Sequence, residues 1–161
     1  MTNINFLDII NAITFGGVII NKTEREKYFL EQEDKLLKGG AAYSEWCTLI
    51  TKSVYDSFVN GADLATIITS MVCIETYFKT ESPHDKNKKL AQLIDEEVFL
   101  TEEEKRQLHK LRKYRNSWVH ADRLNDTDLL KNEEKYQNEL EEMSFLSVKM
   151  LLTVLFSKPF I

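Results

Sequence analysis

Turn-forming residues are scarce in this chain: five glycines and two prolines are spread over 161 residues. A fold of many short strands needs a turn roughly every 8–12 residues, built largely from Gly, Pro, Asn and Asp, and glycine and proline are too sparse here for that. Glutamate, lysine and leucine are plentiful, and these side chains lose little rotamer freedom in a helix. The expected class is therefore all-α. With 43% hydrophobic residues, the chain has enough apolar surface for one buried core of ordinary domain size.

Apolar periodicity divides the chain. Residues 1–21 form an apolar leader with Gly16-Gly17 near its end, and a charged, helical-looking segment over 22–38 runs up to Gly39-Gly40. Residues 1–40 are accordingly read as an N-terminal extension and residues 41–161 as the helical domain. The leader itself could be a docking arm, a short helix or a strand, since its periodicity selects none of these. In the domain, Tyr43, Trp46, Cys47, Ile50, Val54 and Phe58 form one stripe that stops at Asn60-Gly61. A second helix from about residue 63 carries Leu64, Ile68, Met71 and Phe78 and ends in a polar loop before Pro83. Leu90, Leu93 and Ile94 mark a shorter helix over 87–96. Thr101 followed by Glu104 is a capping box, starting a helix whose apolar side bears Leu108, Leu111 and Trp118. The last long helix, over 127–156, carries Tyr136, Leu140, Met143, Leu146 and Met150. Its final turns are apolar nearly all round, which predicts burial.

A net charge of −5 argues against capture of nucleic acid by a broadly basic surface, because phosphate affinity comes mainly from clustered lysine and arginine. One local cluster exists: Lys105, Arg106, His109, Lys110, Arg112, Lys113 and Arg115. Most such runs are solvated helix faces; the functional alternative is an RNA-binding edge made by Lys110, Arg112 and Lys113. The nearly uncharged stretches 4–20 and 62–74 are interrupted by Asp8, Asn11 and Asp63 or are too short to cross a bilayer, so no membrane span is expected. Cys47 and Cys73 lie in apolar helical patterns and no secretory leader with a basic start precedes them, which points to a reducing, cytoplasmic setting.

Two charges fall on apolar stripes. Glu75 shares the side of Leu64, Met71 and Phe78, and Arg115 takes the place of the next leucine after Leu108 and Leu111. A buried charge needs a partner, so the economical expectation is that Glu75 supports Arg115 through paired hydrogen bonds. The other reading is that both snorkel to solvent from the stripe edge. His120 is a candidate acid-base group, since an unperturbed pKa of about 6.5 lets imidazole take and give a proton near neutrality. A single histidine at a helix end is more often a cap or surface residue, and His84 and His109 carry that plain reading. No His-Glu or Cys-Cys ligand pattern or carboxylate triad is spaced for a metal.

The run Arg115-Asn116-Ser117-Trp118-Val119-His120 resembles the signature of the HEPN superfamily, an arginine usually followed by a polar residue, then a histidine after four to six intervening positions. Here four residues intervene and Asn116 is the polar one. The setting extends the resemblance over roughly 41–156: a glutamate in Cys73-Ile74-Glu75-Thr76-Tyr77, a capped helix leading to the motif and a long helix after it. The resemblance implies an up-and-down bundle of four to five helices that dimerises and cuts RNA without metal or cofactor. It further implies catalytic roles for Arg115, Asn116 and His120, with the motifs of two chains facing each other. Where a toxin subgroup of the family carries a modifiable tyrosine two residues after the histidine, this chain has Asp122. Control by that modification is therefore not expected, and the carboxylate beside His120 would raise its pKa or repel RNA.

Helical geometry restricts how such a site can work. Across an unbroken helix, five residues turn through about 500°, leaving Arg115 and His120 roughly 140° apart. Either the helix breaks near Val119 or the site pools residues from two chains in a two-fold dimer. Three functions compete. One is a metal-independent endoribonuclease acting as toxin or antiviral effector, held in check by an antitoxin or defence-system partner protein. The others are a catalytically silent HEPN-like module for dimerisation, partner or nucleotide binding, and an unrelated helical adaptor docking through its leader.

Overall fold

The structure, a computed structural model, describes residues 22–81, 87–120 and 131–158. These residues form six helices and no strand: α1 (Lys22–Leu36), α2 (Glu45–Val59), α3 (Asp63–Glu81), α4 (Leu90–Glu96), α5 (Glu102–Val119) and α6 (Glu133–Leu155). The all-α expectation holds. The leader, over 1–21, lies outside the described residues.

Local signals set most helix ends. Ser44 caps α2 by accepting from the Cys47 N–H, and the expected capping box opens α5, where Thr101 Oγ1 accepts from the Glu104 N–H and the Glu104 carboxylate accepts from the Thr101 N–H. At the other end of α2, Gly61 has φ +74°, its N–H bonds to the Phe58 carbonyl at 3.0 Å, and the Ala62 N–H bonds to Ser57 at 2.9 Å. This is a Schellman closure, which needs the left-handed conformation that glycine adopts without a Cβ clash. It turns the chain directly into α3.

Helix α3 is the axis of the bundle, packed extensively against both α2 and α6, with α1 lying on α2 and α6 and α5 touching α3, α4 and α6. Because two neighbours cover α3, its buried surface is wider than one stripe: Thr66, Ile67, Ser70, Met71, Cys73, Ile74, Tyr77 and Phe78 are all buried. Small residues meet between α3 and α6, where Ser147 Oγ lies 3.4 Å from Ser70 Oγ. The expected stripe of Leu64, Ile68, Met71 and Phe78 is one edge of that surface, and Leu64 and Ile68 are only half-buried. Glu75 therefore stands on the flank of α3 rather than in the core. On α2, Cys47, Val54 and Phe58 face inward as expected, whereas Trp46 is 69% exposed, because the inward direction runs through its neighbour.

The apolar last turns of α6 are buried throughout, from Met150 to Phe156. They are covered by the chain itself, so they supply no leftover face for a second copy. Each large apolar side chain removed from water here contributes about 1.5–3 kcal/mol.

Helix α1, the charged part of the expected extension, is packed into the bundle. Its inward positions are Arg25 and Phe29, spaced one turn apart, and both are buried. Phe29 meets Tyr55 edge-on with centroids 5.1 Å apart, and Tyr28 meets Phe145 of α6 at 4.7 Å. The Arg25 guanidinium sits over the rings of Phe58 and Phe145, at 5.1 and 5.2 Å.

Candidate nucleic-acid site

The motif occupies the end of α5. Leu108 and Leu111 are fully buried, and burial then falls off along the helix: Arg115, Asn116, Ser117 and Trp118 are half-buried, and Val119 and His120 are exposed. Helix α5 stops at Val119, and His120 is its C-cap, with φ −98° and ψ 7° and its N–H bonded to the Asn116 carbonyl at 2.9 Å. The helix runs unbroken to Val119, and the C-cap His120 keeps the i→i−4 hydrogen bond, so within one chain Arg115 and His120 stay roughly 140° apart. Asp122 lies outside the described residues, as does the stretch 121–130 in which it falls.

Glu75 and Arg115 are not brought together. The Glu75 carboxylate takes the ammonium of Lys79 at 2.6 Å, one turn along its own helix, and both side chains remain about a third exposed. The reason is the wider buried surface of α3, which leaves Glu75 on the flank with solvent to help carry its charge. Arg115 keeps its Nε buried without a hydrogen-bond partner among the described residues, and Arg112 Nε is in the same condition. Ser117 within the motif donates back to the Tyr114 carbonyl at 2.7 Å, and Tyr114 packs against Trp118 with centroids 6.3 Å apart.

The basic cluster divides into two halves. Lys105 pairs with Glu102 and bonds the Asp95 carbonyl at 3.0 Å, Arg106 pairs with Glu103, and His109 Nε2 lies 2.8 Å from Asp95. Glu103, at the surface, is held below the usual carboxylate range by hydrogen bonds from Gln107 and Arg106. This half is largely neutralised. Further along, Lys110 has only a loose ion pair with Glu142, at 3.9 Å. Lys110 and Lys113 line an open groove of about 490 Å³ between α5 and α6, together with Tyr114, Ser117, Glu139, Glu142 and Met143. The groove thus joins two of the three expected RNA-binding cations to the motif through Ser117. Two carboxylates stand within it.

Among the described residues, an extensive polar cluster lies elsewhere and was not visible in the sequence. Arg25 Nη1 lies 2.7 Å from Asp63 Oδ1 and donates to the Phe58 carbonyl at 3.2 Å, and Nη2 reaches Asp63 Oδ2 at 3.3 Å and Glu141 Oε1 at 2.8 Å. Ser144 donates to Asp63 Oδ1 at 2.5 Å. The Arg25 side chain is 4% exposed, which makes this the buried charge with partners that had been expected at Glu75 and Arg115. Its one local signal was the register of Arg25 with Phe29; nothing near either residue in sequence points to Asp63 or Glu141. No group of three or more metal-ligating side chains occurs among the described residues, and no helix among them is long and apolar enough to cross a membrane. Comparison of the chain with protein-family models, with curated proteins and with solved structures finds no significant match.

Proposed function

We propose that this chain is a metal-independent endoribonuclease of the HEPN type, in which His120 moves the proton and Arg115 neutralises the phosphate. The observation that supports the reading is the position of a half-buried Arg115 and an exposed His120 at the end of α5, which lie roughly 140° apart on one helix and so call for the motifs of two chains to complete one site. An RNA 2′-OH is an internal nucleophile already beside its phosphorus, so the reaction asks of the protein a proton acceptor, a proton donor and a fixed cation. His120 serves the first two, a role worth about 10²–10⁴ in rate, and Arg115 stabilises the charge that builds on the non-bridging oxygens. Asn116 orients the phosphate or the imidazole. Lys110, Arg112 and Lys113 hold the flanking backbone. The working form is a homodimer with the two motifs facing, restrained as toxin or antiviral effector by a partner protein.

The test is incubation of the purified protein with total RNA in EDTA, alongside His120→Ala and Arg115→Ala. Cleavage should persist in chelator, leave 2′,3′-cyclic phosphate ends, spare a substrate with one 2′-deoxy nucleotide at the cut site, and vanish in both variants. Cleavage at the deoxy site, or 5′-phosphate ends that disappear with EDTA, would sink the mechanism. A second reading, a catalytically silent module for dimerisation, partner or nucleotide binding, draws on Glu139 and Glu142 in the groove, whose charges oppose a polyanion. A well-folded protein that cuts no RNA would select it.

A further inference from the structure

Helices α2 and α3 share one face that no other described residue covers. On α2, Tyr55 turns toward α1, where its hydroxyl donates to Glu26 at 3.2 Å, and Cys47 and Thr51 turn toward α3. The flank of α2 beyond that contact bears Trp46, Leu49 and Ile50. Cys73 Sγ lies 3.5 Å from Thr51 Oγ1 and 3.7 Å from the Cys47 carbonyl oxygen, which sets Val72 on the outer side of α3 level with this row. Trp46, Leu49 and Val72 are 69%, 62% and 44% exposed, and Ile50 and Thr69 are half-buried. The hydroxyls nearby are satisfied by their own helices: Thr69 donates to the Ala65 carbonyl at 2.6 Å and Ser53 to the Leu49 carbonyl at 3.2 Å. Glu75 and Lys79, farther round α3, are paired with each other. Single exposed apolar side chains are ordinary, but a tryptophan, a leucine and a valine across two helices, with no charge among them, form a patch that calls for a cover.

We propose that this face is the docking surface for the chain's own apolar leader, residues 1–21. The leader carries one charge, Asp8, and its stretch 4–15 includes Phe6, Leu7, Ile10 and Phe15. It has as much need of an apolar partner as the face has. Its attachment point is at the foot of that face. Arg25, in the first turn of α1, bonds the Phe58 carbonyl and Asp63, so the leader joins the bundle beside the turn from α2 to α3. From Phe58 back to Leu49 is about 14 Å of helix. Residues 16–21 span up to about 20 Å when extended, and Gly16-Gly17 accommodates the bend that brings 4–15 onto Val72, Leu49 and Trp46. Tethering gives the leader an effective concentration on the order of millimolar at the face, which a second copy of the chain at micromolar concentration does not match. The face is separate from the motif at the end of α5, so this docking does not depend on the proposed reaction.

The experiment places a photoreactive benzoylphenylalanine at Leu49 of the full-length chain, a position open enough to water to accept it without disturbing the core. Irradiation should join position 49 to a peptide within 1–21 at monomer mass, in a yield unchanged by dilution, as an intramolecular contact requires. Ile9→Asp with Ile10→Asp should lose that cross-link, because two carboxylates cannot be buried on an apolar face without partners. In a Trp118→Phe background, which leaves Trp46 as the single tryptophan, the same two substitutions should raise acrylamide quenching of its fluorescence. Cross-linked species at twice the monomer mass would give the face to a second copy and overturn the proposal, as would the absence of any cross-link to 1–21 or a cross-link that survives both substitutions. The first readout is made with the native leader, so a double variant that fails to fold leaves the test intact, and neither readout involves RNA.

Discussion

At the scale of single residues, two acids on one helix have opposite standing. Asp63 is bonded to the Arg25 side chain, which is 4% exposed, and to Ser144, whereas Glu75 meets a lysine in a pair about a third open to water. Stripping the partner from a buried charge leaves it uncompensated and costs about 3–5 kcal/mol, while an exposed pair one turn apart is worth about 0.3–0.5 kcal/mol. Asp63→Ala should therefore lower stability by about 3 kcal/mol, somewhat cushioned because Glu141 still faces Arg25. Glu75→Ala should fall within about 0.5 kcal/mol of the parent. Urea unfolding of both variants measures the difference, and equal losses would show that the Arg25 cluster carries no special weight. Sequence periodicity could find that α3 holds a charge near its apolar side, but not which one was buried. That depended on α3 having neighbours on two sides.

At the scale of elements, the ends of helices were legible because they are made by residues close together in the chain. Asn60-Gly61 and the Thr101/Glu104 box both lie where they were expected. Their energies follow from local chemistry. A Cβ added at Gly61 would meet nothing within 4 Å, so the cost of Gly61→Ala is the positive φ alone, about 1 kcal/mol. Thr101→Ala removes the side-chain acceptor of the cap and should cost about 1 kcal/mol as well. The two sites are on different helices with no shared partner, so the double variant should lose the sum. Thermal unfolding of the two single variants and the double checks this, and a strongly sub-additive loss would mean that one cap depends on the other. The same local logic explains the motif helix: the box starts α5, and the register then delivers Leu108 and Leu111 inward and leaves Arg115 and Trp118 half-buried at its open end.

For the whole molecule, the consequential element is α1. Read by itself, this helix is so charged that it passes for an appendage, yet it supplies the cation that answers Asp63 and Glu141 and the ring that meets Tyr55. Removing residues 1–36 should leave two carboxylates without their cation and uncover Phe58 and Phe145. A loss of about 3–5 kcal/mol corresponds to roughly 10–15 °C in a domain this size. Circular dichroism of the truncated chain provides the measure, and an unchanged Tm would make α1 a dispensable attachment. What the sequence by itself determined is the helical class, the capped ends of α2 and α5, the buried last turns of α6 and the position of Arg115 and His120 at a helix terminus. The caps follow from interactions between residues within a few positions of one another, and the rest was legible in composition and apolar periodicity. Tertiary structure alone decided that Trp46 faces water, that Glu75 turns to Lys79, and that the buried guanidinium is Arg25 with partners 38 and 116 residues away. Periodicity gives the direction of a face along one helix. Which faces are covered, and by which charges, is set only when several helices pack together.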